Sequence, residues 1–185
     1  MLMLAAPHTG IHYTNGTAVV HPARVRLRLE RLRNLVSNHS FDQETTMIKL
    51  EKVLYTAKAH TTGGRDGGAS RTDDGRLDVR FALPGGPAVG TNPEQLFAVG
   101  WSACLLSAIK LVAHKMKVTL SADVAMDPEV DLGPAGDGYA LAARLNVSLP
   151  GIEHEVAERI VAAADQLCPY SRATRGNIDV RINVV

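Results

Sequence analysis

One segment of the chain, residues 91–115, constrains the fold most, because it predicts a helix that is apolar on nearly every side. Asn92 can cap the first turn, Pro93 suits the first helical position, and Gln95 stands where a capping-box partner belongs. A helix without a polar face must be buried. We therefore expect this helix at the centre of its domain or in an interface between subunits.

The remaining pattern after Met47 consists of strands and one further helix. Strands are predicted over residues 48–61, 77–81, 118–132, 138–149 and 177–185. The second helix is predicted over 153–167, where Pro169 stops it. The order of strands, helix, strands, helix and strand argues against a doubly wound sheet. It favours an α+β fold with antiparallel sheets packed on helices.

Length and charge exclude several classes of partner. A chain of 185 residues with 45% hydrophobic residues can bury one sizeable core, and it is too short for two independent domains. Its formal net charge of +1 gives no electrostatic argument for nucleic acid or a membrane surface. We expect no apolar run to approach the roughly 20 residues of a membrane span. No basic helix suited to DNA recognition is evident. Together these observations mean that neither nucleic acid nor a membrane is an expected partner.

Residues 1–46 differ from the rest in composition. They hold five Arg, no Lys and three acidic residues, and the alternation between Arg24 and Arg33 allows a short helix or strand. This leader is either a transit-peptide-like segment or the result of a translation start assigned too far upstream. In the second case Met47 is the natural start. We favour the second interpretation, since a complete domain pattern begins at Met47, and expect a poorly ordered leader. A secretory signal would need a basic flank at the start, so we expect a cytoplasmic protein.

The two cysteines, separated by 63 residues, are either two unrelated buried thiols or a redox couple. Cys104 lies in the middle of the apolar helix, where burial raises a thiol pKa above its free value of about 8.5. A reactive Cys104 therefore needs a cation brought to it from elsewhere. Cys168 ends the second helix, whose partial negative charge disfavours a thiolate. Cys168 is thus suited to be a second thiol rather than the attacking one.

Arg65 and Glu94 are the candidates for organising that charge. Arg65 sits in the glycine-rich loop TGGRDGG and Glu94 in the first turn of the helix. Taken singly, Arg65 is as readily a solvated turn residue as a site residue. Glu94 is as readily a simple favourable partner of the helix dipole. Glu94 and Cys104 are ten residues apart, about 15 Å along one helix. If both serve one site, either a long Arg bridges them or Glu94 comes from another subunit, and both options fit a dimer with interfacial sites.

A metal or cofactor site is not expected. His60, His114 and His154 are isolated in the sequence, and the cysteines lack the C-x-x-C spacing of a metal site.

Four stretches of the chain carry a resemblance to a known family. They are KVLYTAKAHTTGGRDG, GTNPEQLFAVGWSAC, the valine-rich strand after Lys117, and CPYSRATRGNIDVRINV. In this order they resemble the organic hydroperoxide resistance (Ohr) proteins of the Ohr/OsmC family over essentially all of residues 47–185. Trp101 stands where a Tyr is usual and Leu105 where a Phe is usual. Residues 1–46 have no counterpart in the family pattern.

The resemblance implies an intertwined homodimer in which two subunits wrap their sheets around paired central helices. Cys104 falls on the cysteine that attacks peroxide, Cys168 on its resolving partner, and Arg65 and Glu94 on the pair that stabilises the thiolate. The implied activity is reduction of organic hydroperoxides to alcohols through a Cys104 sulfenic acid and a Cys104–Cys168 disulfide. The implied reductant is an external dithiol, a lipoyl group carried by a protein, with no bound cofactor.

Two alternatives use the same residues differently. A non-enzymatic redox sensor would oxidise Cys104 and Cys168 and switch a partner interface, so only turnover separates it from a peroxidase. A purely structural dimer would bury two inert cysteines, and its thiols would have no lowered pKa.

Overall fold

The computed structural model describes residues 48–185 and, before them, the backbone of two short strands. These strands, β1 (His12–Thr14) and β2 (Thr17–Val19), form an antiparallel hairpin. The chain divides into two units, Met1–Leu54 and Tyr55–Val185. The predictions for the stretch between Arg24 and Arg33 and for the order of the leader lie outside the described residues.

A small antiparallel sheet comes first in the second unit. It contains β3 (Ala59–Thr62), β4 (Ala69–Thr72) and β5 (Asp78–Arg80), in that order. The predicted strand over 48–61 is wrong for residues 48–58, which have no regular secondary structure. The loop between β3 and β4 carries Arg65 and is tightly folded, since a Cβ on Gly68 would lie 2.2 Å from the Gly64 carbonyl oxygen. Glycine is required there because no side chain fits.

The long helix α1 spans Pro93–Lys115. Its predicted cap is confirmed, because Asn92 Oδ1 accepts a hydrogen bond of 2.8 Å from the Gln95 backbone N–H. The Gln95 side chain differs from the capping-box prediction, since its Oε1 accepts from the Thr91 hydroxyl at 2.8 Å. The start of α1 is therefore fixed by three polar residues, Thr91, Asn92 and Gln95.

The second sheet consists of β6 (Ala125–Ala135), β7 (Gly138–Ser148) and β8 (Asp179–Val184). β6 and β7 pair antiparallel, whereas β8 pairs parallel to β7. Between β7 and β8 the chain forms α2 (His154–Leu167) and the short helix α3 (Pro169–Thr174). The predicted α+β class is confirmed. One pairing departs from the antiparallel expectation because a helical crossover returns the chain in its original direction.

The core lies between α1, α2 and the second sheet. Alternate residues of β7 point into it, as the period of two requires for a sheet with one covered face. Its largest fully buried side chains are Trp101, Leu105, Ile109, Leu145, Ile160, Val147 and Cys168.

Within one chain the helix α1 is not buried all round, so of the two predicted places, the centre of the domain and a subunit interface, the single chain accounts for only one face. One face packs into the core, but Val99 on the other is 65% exposed and Leu111 is 49% exposed. With 23 residues, α1 is also long and apolar enough to cross a membrane by length and composition alone. The expectation that no apolar run approaches a membrane span is thus wrong. The helix carries only three charged residues, Glu94, Lys110 and Lys115, and they do not interrupt it. The core helix of a soluble protein passes the same test.

Candidate redox site

The structure brings the two cysteines into direct contact. Both are free thiols, and Cys168 Sγ donates a hydrogen bond to Cys104 Sγ across 3.3 Å. Cys168 is fully buried, whereas Cys104 is half-buried. A disulfide has an S–S length of about 2.05 Å. Only a small approach of the two sulfur atoms therefore separates the dithiol from the disulfide.

Cys168 owes its position to the junction of two helices. It ends α2, where its backbone N–H donates to the Ala164 carbonyl oxygen at 2.9 Å, and it also precedes the first residue of α3. Pro169 stops α2, as predicted, yet it begins α3, since proline suits the first position of a helix. The sequence interpretation placed Cys168 only at a helix end and missed the helix that follows.

An aromatic cluster adjoins the thiols. Trp101 Nε1 donates a buried hydrogen bond of 3.1 Å to Ser171 Oγ. The Phe97 ring contacts both Trp101 and Tyr170, with centroid distances of 5.3 Å and 5.9 Å. A Cβ on Gly100 would lie 2.8 Å from the Tyr170 Oη, so the small residue allows this ring to approach α1. Sequence reasoning missed Ser171 and Tyr170, although the CPYS motif places both next to Cys168.

Burial raises the pKa of the Cys104 thiol above its ordinary value, and the adjacent Cys168 adds to the rise. The Tyr170 backbone N–H opposes this by stabilising the thiolate, which lowers the Cys104 pKa. Burial has the larger effect, so the net shift of the Cys104 pKa within one chain is upward and disfavours the thiolate. This agrees with the sequence argument that a reactive Cys104 needs a cation.

Arg65 and Glu94 form an ion pair at the first turn of α1. The Glu94 side chain is 15% exposed and the Arg65 side chain 42% exposed, so the pair is partly sheltered from solvent. Glu94 and Cys104 lie on the same helix, about 15 Å apart along its axis. The four predicted site residues thus form two pairs, and one chain does not bring the two pairs together.

A cleft opens beside Glu94. It has a volume of about 520 Å³, and Ala98, Val130 and Leu132 give it an apolar wall. Within the part of the chain that the structure describes, no group of three His, Cys, Asp or Glu side chains could hold a metal ion.

The fold and its thiol pair place the chain in a known class. Residues 84–183 match the family model described as OsmC-like protein. The solved structure of an organic hydroperoxide resistance protein from Legionella pneumophila is 44% identical, with a TM-score of 0.68, over 72% of this chain and 98% of that one. The crystal structure of OhrB of Bacillus subtilis is 37% identical, with the same TM-score of 0.68, over 72% of this chain and all of that one.

A sequence relative agrees with these structures. The organic hydroperoxide resistance protein of Xanthomonas axonopodis pv. citri is 43% identical over 141 residues, which are 75% of this chain and 99% of that protein. The chain therefore belongs to the organic hydroperoxide resistance (Ohr) proteins of the OsmC-like family.

Proposed function

We propose that the protein is a thiol-dependent peroxidase that reduces organic hydroperoxides to alcohols and so protects against oxidative stress. The observation that carries the proposal is the 3.3 Å contact between Cys104 Sγ and Cys168 Sγ. Two thiols in contact can exchange two electrons with a substrate without any bound cofactor. The names of the relatives, which are organic hydroperoxide resistance proteins, support the same substrate class.

The proposed reaction has two steps in the protein. The Cys104 thiolate attacks one peroxide oxygen, the O–O bond breaks, an alcohol leaves, and Cys104 becomes a sulfenic acid. The Cys168 sulfur then attacks Cys104 Sγ, an S–S bond forms, and the sulfenic oxygen leaves as water. Cys104 takes the first role because it is half-buried and reachable, whereas Cys168 is fully buried.

The cation for Cys104 is proposed to come from a second subunit in a homodimer. Arg65 is held by Glu94 far along α1 from the Cys104 of its own chain. The exposed apolar face of α1 around Val99 supports an interface on this helix. A partner chain packed there would bring its Arg65 to Cys104 and lower the Cys104 pKa. Its cleft beside Glu94, with an apolar wall, would suit the alkyl part of an organic hydroperoxide.

The proposed reductant is an external dithiol, most directly a lipoyl group carried by a protein. A dithiol reduces a disulfide by two successive exchange steps and leaves as its own cyclic disulfide. The sulfur of Cys104 is the one exposed to such a reductant, because Cys168 is buried. We place this chemistry in the cytoplasm, where the dithiol pool is kept reduced.

The test is steady-state consumption of cumene hydroperoxide and hydrogen peroxide with dihydrolipoamide as the reductant. The wild type is expected to turn over and to favour the organic peroxide. Cys104→Ser should abolish consumption, whereas Cys168→Ser should consume one peroxide per site and then stop. A wild type that reacts once and stops with every dithiol would instead support a redox sensor. A wild type that does not react at all would leave two structural cysteines and refute the proposal.

A further inference from the structure

Two side-chain contacts join α1 to the segment that begins α3. Trp101 and Cys104 are three residues apart on α1, and Cys168 and Ser171 are three residues apart on the other segment. Residues at this spacing in a helix lie on one face, a turn apart. Trp101 contacts Ser171 at 3.1 Å, and Cys104 contacts Cys168 at 3.3 Å. The two contacts therefore lie side by side, and the two segments that they join run antiparallel.

The Trp101–Ser171 hydrogen bond is buried at both ends. Trp101 is fully buried and Ser171 is 3% exposed, so water cannot replace the hydroxyl acceptor. A buried N–H left without its acceptor is unfavourable by more than the bond itself contributes. This contact involves no sulfur, so it can persist while the neighbouring contact between the cysteines changes from thiols to disulfide.

We propose that the Trp101–Ser171 hydrogen bond positions Cys168 for attack on oxidised Cys104, so that the disulfide forms before a second peroxide reacts. The inference rests on the proposed function. In the step concerned, the Cys168 sulfur bonds to Cys104 Sγ, the S–O bond of the sulfenic acid breaks, and the hydroxide leaves with the thiol proton as water. The two sulfur atoms close from 3.3 Å to about 2.05 Å. A second peroxide arriving first would produce the sulfinic acid, which is not reduced by thiols.

Trp101 and Ser171 are positioning residues in this proposal, because they act through Cys168. Ser171→Ala removes the acceptor and Trp101→Phe removes the donor while keeping an aromatic ring. In single turnovers with cumene hydroperoxide, both variants are expected to consume peroxide at the wild-type rate. Disulfide formation should be about tenfold slower, as expected for loss of one buried hydrogen bond. The double variant should be no slower than the slower single one, since both changes remove the same bond.

Mass spectrometry of alkylated protein measures the disulfide and the Cys104 sulfinic acid, whose yield at excess peroxide should rise in both variants. Trp101 is the one tryptophan of the 185-residue chain, so its fluorescence follows the same step in Ser171→Ala. Ser121→Ala serves as the control, because it removes a serine hydrogen bond to Asp123 in an exposed loop. It should match the wild type in both steps.

Three outcomes would overturn the inference. Disulfide formation at the wild-type rate in both variants would show that the bond does not position Cys168. Equal slowing of both steps together with a lower Tm would show a role in stability alone. A wild type that consumes peroxide but forms no disulfide would remove the step itself. Failure of the proposed function is recognised separately, because the wild type would then consume no peroxide.

Discussion

Arg65 is paired with Glu94 at the first turn of the same helix that carries Cys104 in its middle. The helix holds the ion pair and the thiol about 15 Å apart, and a rigid helix cannot bend to close that distance. If Arg65 activates a cysteine, the cysteine belongs to the partner subunit. The relationship therefore leads to a test that mixes two inactive variants.

Mixed dimers of Arg65→Ala and Cys104→Ser should regain activity. A heterodimer contains one intact site, because the Cys104 of the first chain meets the Arg65 of the second. We expect up to about half of the wild-type activity per heterodimer, against little for either homodimer, since removing the activating cation lowers the thiolate fraction. The measurement is peroxide consumption after the two variants are mixed and exchanged. No recovery in a verified heterodimer would place Arg65 and Cys104 in the same chain.

Removing Arg65 should also shift the pH dependence of Cys104 alkylation. Burial raises the pKa of Cys104. With Arg65 absent, the thiolate fraction should therefore be small at pH 7 and rise about tenfold per pH unit up to the raised pKa. In a Cys168→Ser background, where Cys104 is the only cysteine, the iodoacetamide rate with Arg65 present should level off at lower pH than with Arg65→Ala.

The matched control is Arg71→Ala, which removes an exposed arginine of β4 that pairs with Asp78 at 3.8 Å. Its alkylation profile should coincide with that of the parent protein. Profiles that level off at one pH with and without Arg65 would mean that Arg65 does not stabilise the Cys104 thiolate.

Val99→Asp should dissociate the proposed dimer. Val99 is 65% exposed in the single chain, so an aspartate there has water around it and leaves the fold of one chain intact. In an apolar interface the same carboxylate would be buried without a partner. We expect sedimentation velocity to show monomers, with unchanged far-UV circular dichroism and little peroxidase activity. Tyr139→Ser, at a residue 80% exposed in a hairpin, is the control and should stay dimeric.

Leu145→Ala should destabilise the protein through its core. Leu145 is fully buried on β7, and such truncations lower the free energy of unfolding by about 2–5 kcal/mol. Leu132→Ala on β6 is the comparison, because Leu132 is 42% exposed and loses less burial. Urea unfolding at one protein concentration measures both values. A similar loss in both variants would mean that Leu132 is covered in the assembled protein.

The parts of the fold that depend on local chemistry were predictable from the sequence. Asn92 marks the start of α1, and the alternation of apolar residues in Asp179–Val184 marks β8. The strand predicted over 48–61 was too long, because a strand forms only against a neighbour and periodicity does not show which neighbour exists. The helix α3 was missed because Pro169 both ends one helix and begins the next.

The site was predictable as residues but not as geometry. Cys104 and Cys168 are 64 positions apart, and no local pattern gives the 3.3 Å between their sulfur atoms. The Trp101–Ser171 contact is equally remote in sequence, at 70 positions. Motif resemblance named Arg65 and Glu94 together, and the structure shows them paired.

The parallel strand β8 has a consequence for the time at which the protein becomes active. Cys168 lies in the connection that leads from β7 to β8, so β8 is synthesised after it. During synthesis the chain folds from its beginning, so the connection cannot be anchored against β7 until β8 has left the ribosome. Cys104 therefore leaves the ribosome well before its thiol partner is in place. Until β8 has paired with β7, a nascent chain under oxidative stress would expose a Cys104 thiol whose partner is not yet held beside it.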